Sequence, residues 1–155
     1  MANLIKITTD GTPLAATTLT ITTSGLVPAN SLAPGDIFEL VTTVKKTVAT
    51  SILNTYIYVN TSNSLIGATQ IGVYGGIAGT PYGYIIGRNY VIKSPTSTIG
   101  FNSGNSTVIP DTVLAAAYGN FNINWAVDQY IIIAISHSSG ASNNSYSTSL
   151  LVLKR

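Results

Sequence analysis

The chain has 155 residues, 45% of them hydrophobic and only 8% charged, with a formal net charge of +2 and no cysteine. Roughly a quarter charged is ordinary for a soluble domain, so here Ser, Thr and Asn supply the polar surface and charge gives little protection against self-association. The missing cysteine excludes disulfides, thiolate metal sites and cysteine nucleophiles, and the seven basic residues are too scattered for the basic stripe of a nucleic-acid binder.

Residues 3–8 read as a short strand or an extended arm, and Asp10-Gly11 followed by Pro13 marks a turn. Residues 14–23 place Leu19 and Ile21 between threonines, as a strand with one wet face would, and Ser24-Gly25 is expected to end it. Two prolines, with the Pro34-Gly35 dipeptide, make residues 26–36 a defined loop. Residues 37–44 form the next strand, with Phe38, Leu40, Thr42 and Val44 on one side and Glu39 on the other. Lys45-Lys46 suit an exposed turn.

Residues 50–59 form the clearest strand. Leu53, Thr55, Ile57 and Val59 point one way, and Ile52, Asn54, Tyr56 and Tyr58 the other. The Asn60-Thr61-Ser62-Asn63-Ser64 cluster turns the chain through local side-chain hydrogen bonds, and Gly67 and Gly72 punctuate residues 65–74. After the glycine-rich residues 75–81, Tyr82, Tyr84, Ile86, Arg88, Tyr90 and Ile92 share one face of a long strand closed by Ser94-Pro95. Residues 97–101 and 107–109 are short strand candidates around the turn at 102–105, and residues 111–118 are ambiguous between helix and strand. Residues 121–127 alternate cleanly, and the apolar run at 130–136 has the length and continuity of a central core strand. A polar tip follows at 137–146, then a last strand at 147–153.

About eight to ten short strands with frequent turn signals indicate an all-β fold, and the first expectation is a jelly-roll-like antiparallel β-sandwich of about eight strands. Residues 1–14 are set apart as an N-terminal arm or hairpin, and residues 15–155 as a single sandwich domain. The N-terminus carries no signal-peptide pattern, and the longest apolar run is far too short to span a bilayer. No membrane insertion is expected, and synthesis is expected in the cytoplasm.

Catalysis needs converging groups, and the inventory is thin. The acids are Asp10, Asp36, Glu39, Asp111 and Asp128, and Asp36 and Glu39 project to opposite sides of an extended segment. His137, between two serines, reads as a solvated turn histidine, without a nucleophile elbow to support a triad. No phosphate loop, zinc site or cofactor motif is present. Calcium held by loop carbonyls and a few acids stays open, because such loops leave little sequence trace. The protein is expected to hold no cofactor and not to be an enzyme. Tyr82, Tyr84 and Tyr90 make the one candidate site: a subunit interface or a glycan-stacking face, set against plain sheet packing.

Four segments together carry a resemblance: Val27-Pro28-Ala29-Asn30-Ser31-Leu32 with Gly35-Asp36, residues 58–68, Arg88-Asn89-Tyr90-Val91-Ile92, and Asp128-Gln129-Tyr130 leading into Ile131-Ile132-Ile133. Their order resembles small jelly-roll-like β-sandwich proteins of tailed bacteriophage virions, over residues 26–155. The resemblance implies a non-enzymatic virion protein, foremost a capsid decoration protein assembled as a homotrimer. Its partners would be its own copies, the major capsid protein or other virion proteins, and its place the virion. Residues 3–14 would then be an arm reaching onto the capsid or a neighbouring subunit. The alternative is a tail-associated module that binds a receptor or a host surface glycan.

Overall fold

Period-two alternation of apolar and hydroxyl or amide residues becomes ten antiparallel strands among the described residues. The structure, a computed structural model, describes residues 2–8, 14–47, 51–74, 82–102, 118–138 and 145–155, with only the backbone described for 82, 84, 101, 102, 118 and 146–148. The strands are β1 (Ala2–Ile7), β2 (Thr20–Val27), β3 (Ile37–Lys46), β4 (Leu53–Asn60), β5 (Thr69–Tyr74), β6 (Tyr82–Ser94), β7 (Ser97–Asn102), β8 (Tyr118–Asn122), β9 (Gln129–His137) and β10 (Ser145–Lys154). No helix occurs among the described residues, and so none there is long and apolar enough to cross a membrane. The turn signals at 10–13 and 102–105, the glycine-rich residues 75–81, the strand candidate at 107–109, the ambiguous residues 111–117 and most of the polar tip at 137–146 lie wholly or mostly outside the described residues.

The strands form a six-stranded sheet, β1-β10-β3-β6-β7-β8, and a four-stranded sheet, β2-β9-β4-β5. The set β1-β10-β3-β6 against β2-β9-β4-β5 has the order of a jelly roll, and the hairpin-like pair β7–β8 widens the first sheet. This accounts for ten strands where about eight were expected. The register places the β1–β2, β3–β4, β5–β6, β7–β8 and β9–β10 connections at one end, here the His137 end. The other four connections, and Trp125, lie at the opposite end.

The core is built from alternate residues of both sheets, including Phe38, Leu40, Val44, Leu53, Ile57, Val59, Ile86, Tyr90, Ile92, Ile131, Ile133 and Ile135. β9 lies between β2 and β4, and its outward Ile132 and Ala134 are as buried as its inward isoleucines. A central strand covered on both faces reads as a continuous apolar run, which is why 130–136 did not alternate. On β6 the Ile86-Arg88-Tyr90-Ile92 side is the buried one, and Ile85 on the other side is 70% exposed. Tyr90 stacks on Phe38 with ring centroids 4.7 Å apart, and Trp125 meets Phe38 edge-on at 5.5 Å. The Tyr90 hydroxyl crosses to the other sheet and donates to the Ile71 carbonyl at 3.2 Å, and Trp125 Nε1 donates to Thr98 Oγ1 at 2.8 Å.

Of the two expectations for the first segment, a short strand or an extended arm, the strand holds over 2–7: it is edge strand β1, paired with β10, with Ile5 buried in the core. Other expectations need correcting. β2 begins and ends later than the threonine pattern suggested, and it runs through Ser24-Gly25. A Cβ at position 25 would lie 2.5 Å from Ile5 Cγ2, so the glycine serves close packing of β1 over β2 rather than a turn. Residues 123–127 leave the ladder although their alternation is real. Ile123 and Trp125 are buried, but their N–H groups donate to Thr96 and Pro95, in the β6–β7 turn, and Asn124 Oδ1 then accepts from Ala126 N–H and turns the chain. Gly35 and Gly67 do sit in turns, at φ of 94° and 73°.

Tyr90→Phe removes the inter-sheet hydrogen bond while keeping the stacked ring, and is expected to cost about 1 kcal/mol. Tyr90→Ala removes the ring as well and is expected to cost about 3–5 kcal/mol. Urea unfolding of the three proteins, compared by midpoint at constant slope, checks both.

Candidate functional site

The proposed tyrosine face divides. Tyr90 is fully buried within the sandwich, so it offers no surface to a sugar or to a neighbouring subunit. That corrects its assignment: the face shared by alternate residues of β6 is the inner face, over its described positions. The side chains of Tyr82 and Tyr84 lie outside the described residues.

The tyrosines that do face outward are on the smaller sheet. On β4 the inward residues are Leu53, Thr55, Ile57 and Val59, and Asn54, Tyr56, Tyr58 and Asn60 are the partly exposed alternates. Tyr56 and Tyr58 stack at 6.3 Å, and the Tyr58 hydroxyl donates to Gln70 Oε1 at 3.2 Å. Burial, and then the neighbouring Tyr56, raise the pKa of Tyr58. Cross-strand pairing extends the face sideways: Leu26 is opposite Tyr130, which is opposite Asn60; Ser24 is opposite Ile132, which is opposite Tyr58; Ile21 is opposite Ala134, which is opposite Tyr56 and then Val73. No Asp, Glu, Lys or Arg occurs in any strand of this sheet. The larger sheet, by contrast, carries Lys6, Glu39, Lys45, Lys46, Arg88, Lys93 and Lys154. The alternation in residues 52–59 already held the signal for this face, since its second set of side chains contains both outward tyrosines of β4.

At the Trp125 end a cleft of about 280 Å³ opens between the sheets. It is lined by Val59, Asn60, Thr61, Gly67, Thr69, Asn122, Ile123, Asn124 and Gln129, and so by amides, hydroxyls and a few apolar groups, without a charge. The acids of this end are occupied elsewhere. Asp36 accepts from Ala33 N–H at 2.6 Å and pairs with Lys154 at 2.7 Å, and Asp128 accepts from Ala29 N–H at 2.8 Å. Desolvation opposes ionisation of Asp36, but the Lys154 and Ala33 hydrogen bonds and the Lys154 charge outweigh it and lower its pKa. Glu39 pairs with Arg155 on the outer face.

The opposite end holds a buried polar group that the sequence misassigned. Lys46 is not in an exposed turn, nor His137 in a solvated one: each is 3% exposed. Lys46 is the inward-facing last residue of β3 and its ammonium donates to the Ser51 carbonyl. His137 is the inward last residue of β9, paired with Leu53, and its Nδ1 lies 3.2 Å from Ser51 Oγ. Its Nε2 is buried, with no side-chain hydrogen-bond partner among the described residues. A serine-protease triad needs an acid on one imidazole nitrogen and the nucleophile on the other. Here a serine lies against Nδ1 and, among the described residues, no acid lies against either nitrogen, so the described groups do not form a triad. Among the described residues there is also no cluster of three metal-ligating groups.

The chain matches no protein-family model, no curated protein and no solved structure.

The titrating groups give a pH dependence with a definite sign. Burial lowers the His137 pKa from 6.5; the Leu14 backbone works against this and the Lys46 charge with it. Below that value the unfolded chain takes up a proton that the folded chain refuses, so stability falls as pH drops from 6.5 towards the folded pKa. Asp36, depressed from 3.8, contributes stability above that value and loses it as pH falls further, through its folded pKa. The thermal midpoint is therefore expected to fall between about pH 7 and about pH 5, and His137→Asn to flatten that part of the profile. Calorimetry across this range checks it.

Proposed function

We propose that this chain is a non-enzymatic structural protein of a virion, most specifically a capsid decoration protein that assembles as a homotrimer. One observation carries the assembly part of this reading: the outer face of β2-β9-β4-β5 has tyrosines and aliphatic side chains and no charge. Monomers rarely leave such a surface to water, and tyrosine-rich, charge-poor patches are the compositional mark of interface cores. The virion part rests on the resemblance of residues 26–155 to phage sandwich proteins.

The size of the face constrains how it is used. Four strands of about eight residues present roughly 500 Å² in plan, against about 800 Å² per partner in a standard interface. A trimer has heterologous contacts, in which one patch meets a different patch on the next copy. The uncharged sheet would then pack against an edge of its neighbour rather than against its own equivalent. An apolar contact of this type is insensitive to salt. The second reading, a tail-associated receptor- or carbohydrate-binding module, uses the same fold at a different place on the particle.

In sedimentation equilibrium the protein is expected to run as three chains at both about 0.15 M and about 1 M salt. Leu26→Lys and Tyr58→Lys, which put charge into the face, are expected to shift it towards monomer with the fold retained by circular dichroism. A monomeric parent protein, or variants that stay assembled, would overturn the assembly reading. Mass spectrometry of purified particles, separated into heads and tails, tests the location: stoichiometric presence on heads is expected, and absence from the particle removes the proposal.

A further inference from the structure

The geometry points to the cleft at the Trp125 end as a binding site for a neutral carbohydrate, a single sugar unit held edge-on between the two sheets. This inference does not rest on where in a particle the protein sits.

Its two rims are fixed before any ligand arrives. On one side the Asn60 amide donates to the Ser64 and Ile66 carbonyls at 2.8 and 2.9 Å, and Asn60 Oδ1 accepts from Thr61 N–H at 2.8 Å. On the other side Gln129 Nε2 donates to the Asn124 carbonyl at 2.8 Å, while Asn124 Oδ1 accepts from Ala126 N–H at 3.0 Å. These bonds fix the conformation within each rim, and rigid rims reduce the ordering cost of binding.

What the rims leave unused matches a polyol. Gln129 is only 4% exposed, lines the cleft, and spends its NH₂ on Asn124, which leaves Oε1 without a partner among the described residues. The Asn124 Nδ2, the Thr61 and Thr69 hydroxyls and the Asn122 amide also line the cleft, with no hydrogen bond to other described residues. Amide and hydroxyl groups together supply both donors and acceptors, as a sugar hydroxyl needs, because each hydroxyl gives one hydrogen bond and accepts others. The floor is apolar, from the buried Val59 and Ile123, and suits the C–H side of a pyranose.

The lining also argues against other ligands. It contains no cation for a phosphate or carboxylate, and no acid for an amine. A nucleobase would require an aromatic side chain on which to stack, and the lining has none. The same lack of an aromatic platform sets the affinity of a single sugar in the millimolar range. The volume is close to the lower bound of about 300 Å³ for ligand pockets, which fits one ring rather than a long glycan.

Titration of the ¹⁵N-labelled protein with methyl glucoside, methyl galactoside and methyl N-acetylglucosaminide, each to about 50 mM, tests the proposal. Glucuronate and adenosine are the comparison ligands. Saturable amide shifts are expected at Thr61, Thr69 and Asn122 for at least one neutral glycoside. Thr69→Val and Asn122→Ala are each expected to weaken that binding roughly tenfold, and Ile85→Ala, on the outer face of the larger sheet away from the cleft, to leave it unchanged. Asn122 is exposed, so its variant keeps the fold, and the shift map of the parent protein stands independently of both variants. Absence of shifts at these amides with every neutral glycoside would overturn the proposal. So would undiminished binding by both variants, or tighter binding of glucuronate or adenosine.

Discussion

The sandwich depends on how one row of the larger sheet accommodates its aromatic rings. Across that sheet Phe38 is opposite Tyr90, Tyr90 opposite Gly100, and Gly100 opposite Gly119. A Cβ at position 100 would lie 2.8 Å from the Tyr90 ring, and one at position 119 would lie 2.6 Å from the Phe121 ring. Two large rings therefore lie over two glycines, so each covers backbone that has no side chain of its own. That arrangement lets Tyr90 lie flat on Phe38 and still reach the Ile71 carbonyl of the opposite sheet. Trp125 closes the same cluster from the β8–β9 connection, and its backbone ties Asn30 and Pro95 to it. The cleft is adjacent to this closure, so its shape is inherited from the aromatic packing below it.

Charge is distributed around that core with a consistent logic. At the Trp125 end, Lys154 is bound to Asp36, which also accepts from Ala33 N–H, while Arg155 is paired with Glu39. These pairs fasten the end of β10 and the residue after it to the loop before β3 and to β3 itself, and being partly exposed they contribute orientation more than energy. The smaller sheet has none of this. Its outer surface relies on stacked tyrosines, and two of its residues there are already buried by their neighbours. An uncharged face that is half covered by its own side chains is a smaller burden in water than its composition suggests. It still presents to a partner nothing that has to be desolvated at great cost.

Much of the architecture was legible in the residues, for a physical reason. Where one face of a strand is buried and the other wet, the side-chain period shows which is which, as on β3 and β4. Burial on both faces, as on β9, removes the period but leaves a continuous apolar run. The errors arose where a residue type was read without its neighbours. Gly25 resembled a turn but was a space for Ile5; Lys46 and the lone histidine resembled solvent-exposed residues but ended strands on their inward side, while Lys45 beside Lys46 is exposed. The tyrosine platform was sought on β6, where three tyrosines share a period. Both faces of β6 carry apolar residues, so its period does not separate the buried face from the wet one, and packing against the opposite sheet decides it. The cleft left no mark in the sequence, because its lining comes from four separate stretches brought together by the jelly-roll order.

The register of the outermost pair has a mechanical consequence. Ala2 is opposite Lys154 and Ile7 is opposite Leu150, so the two ends of the chain leave the sheet side by side at one edge. A force pulling the ends apart would open the β1–β10 ladder from its tip, loading one or two hydrogen bonds at a time. The same bonds loaded along the strands would all resist together. Drawn by both ends, this pair of strands is a zipper.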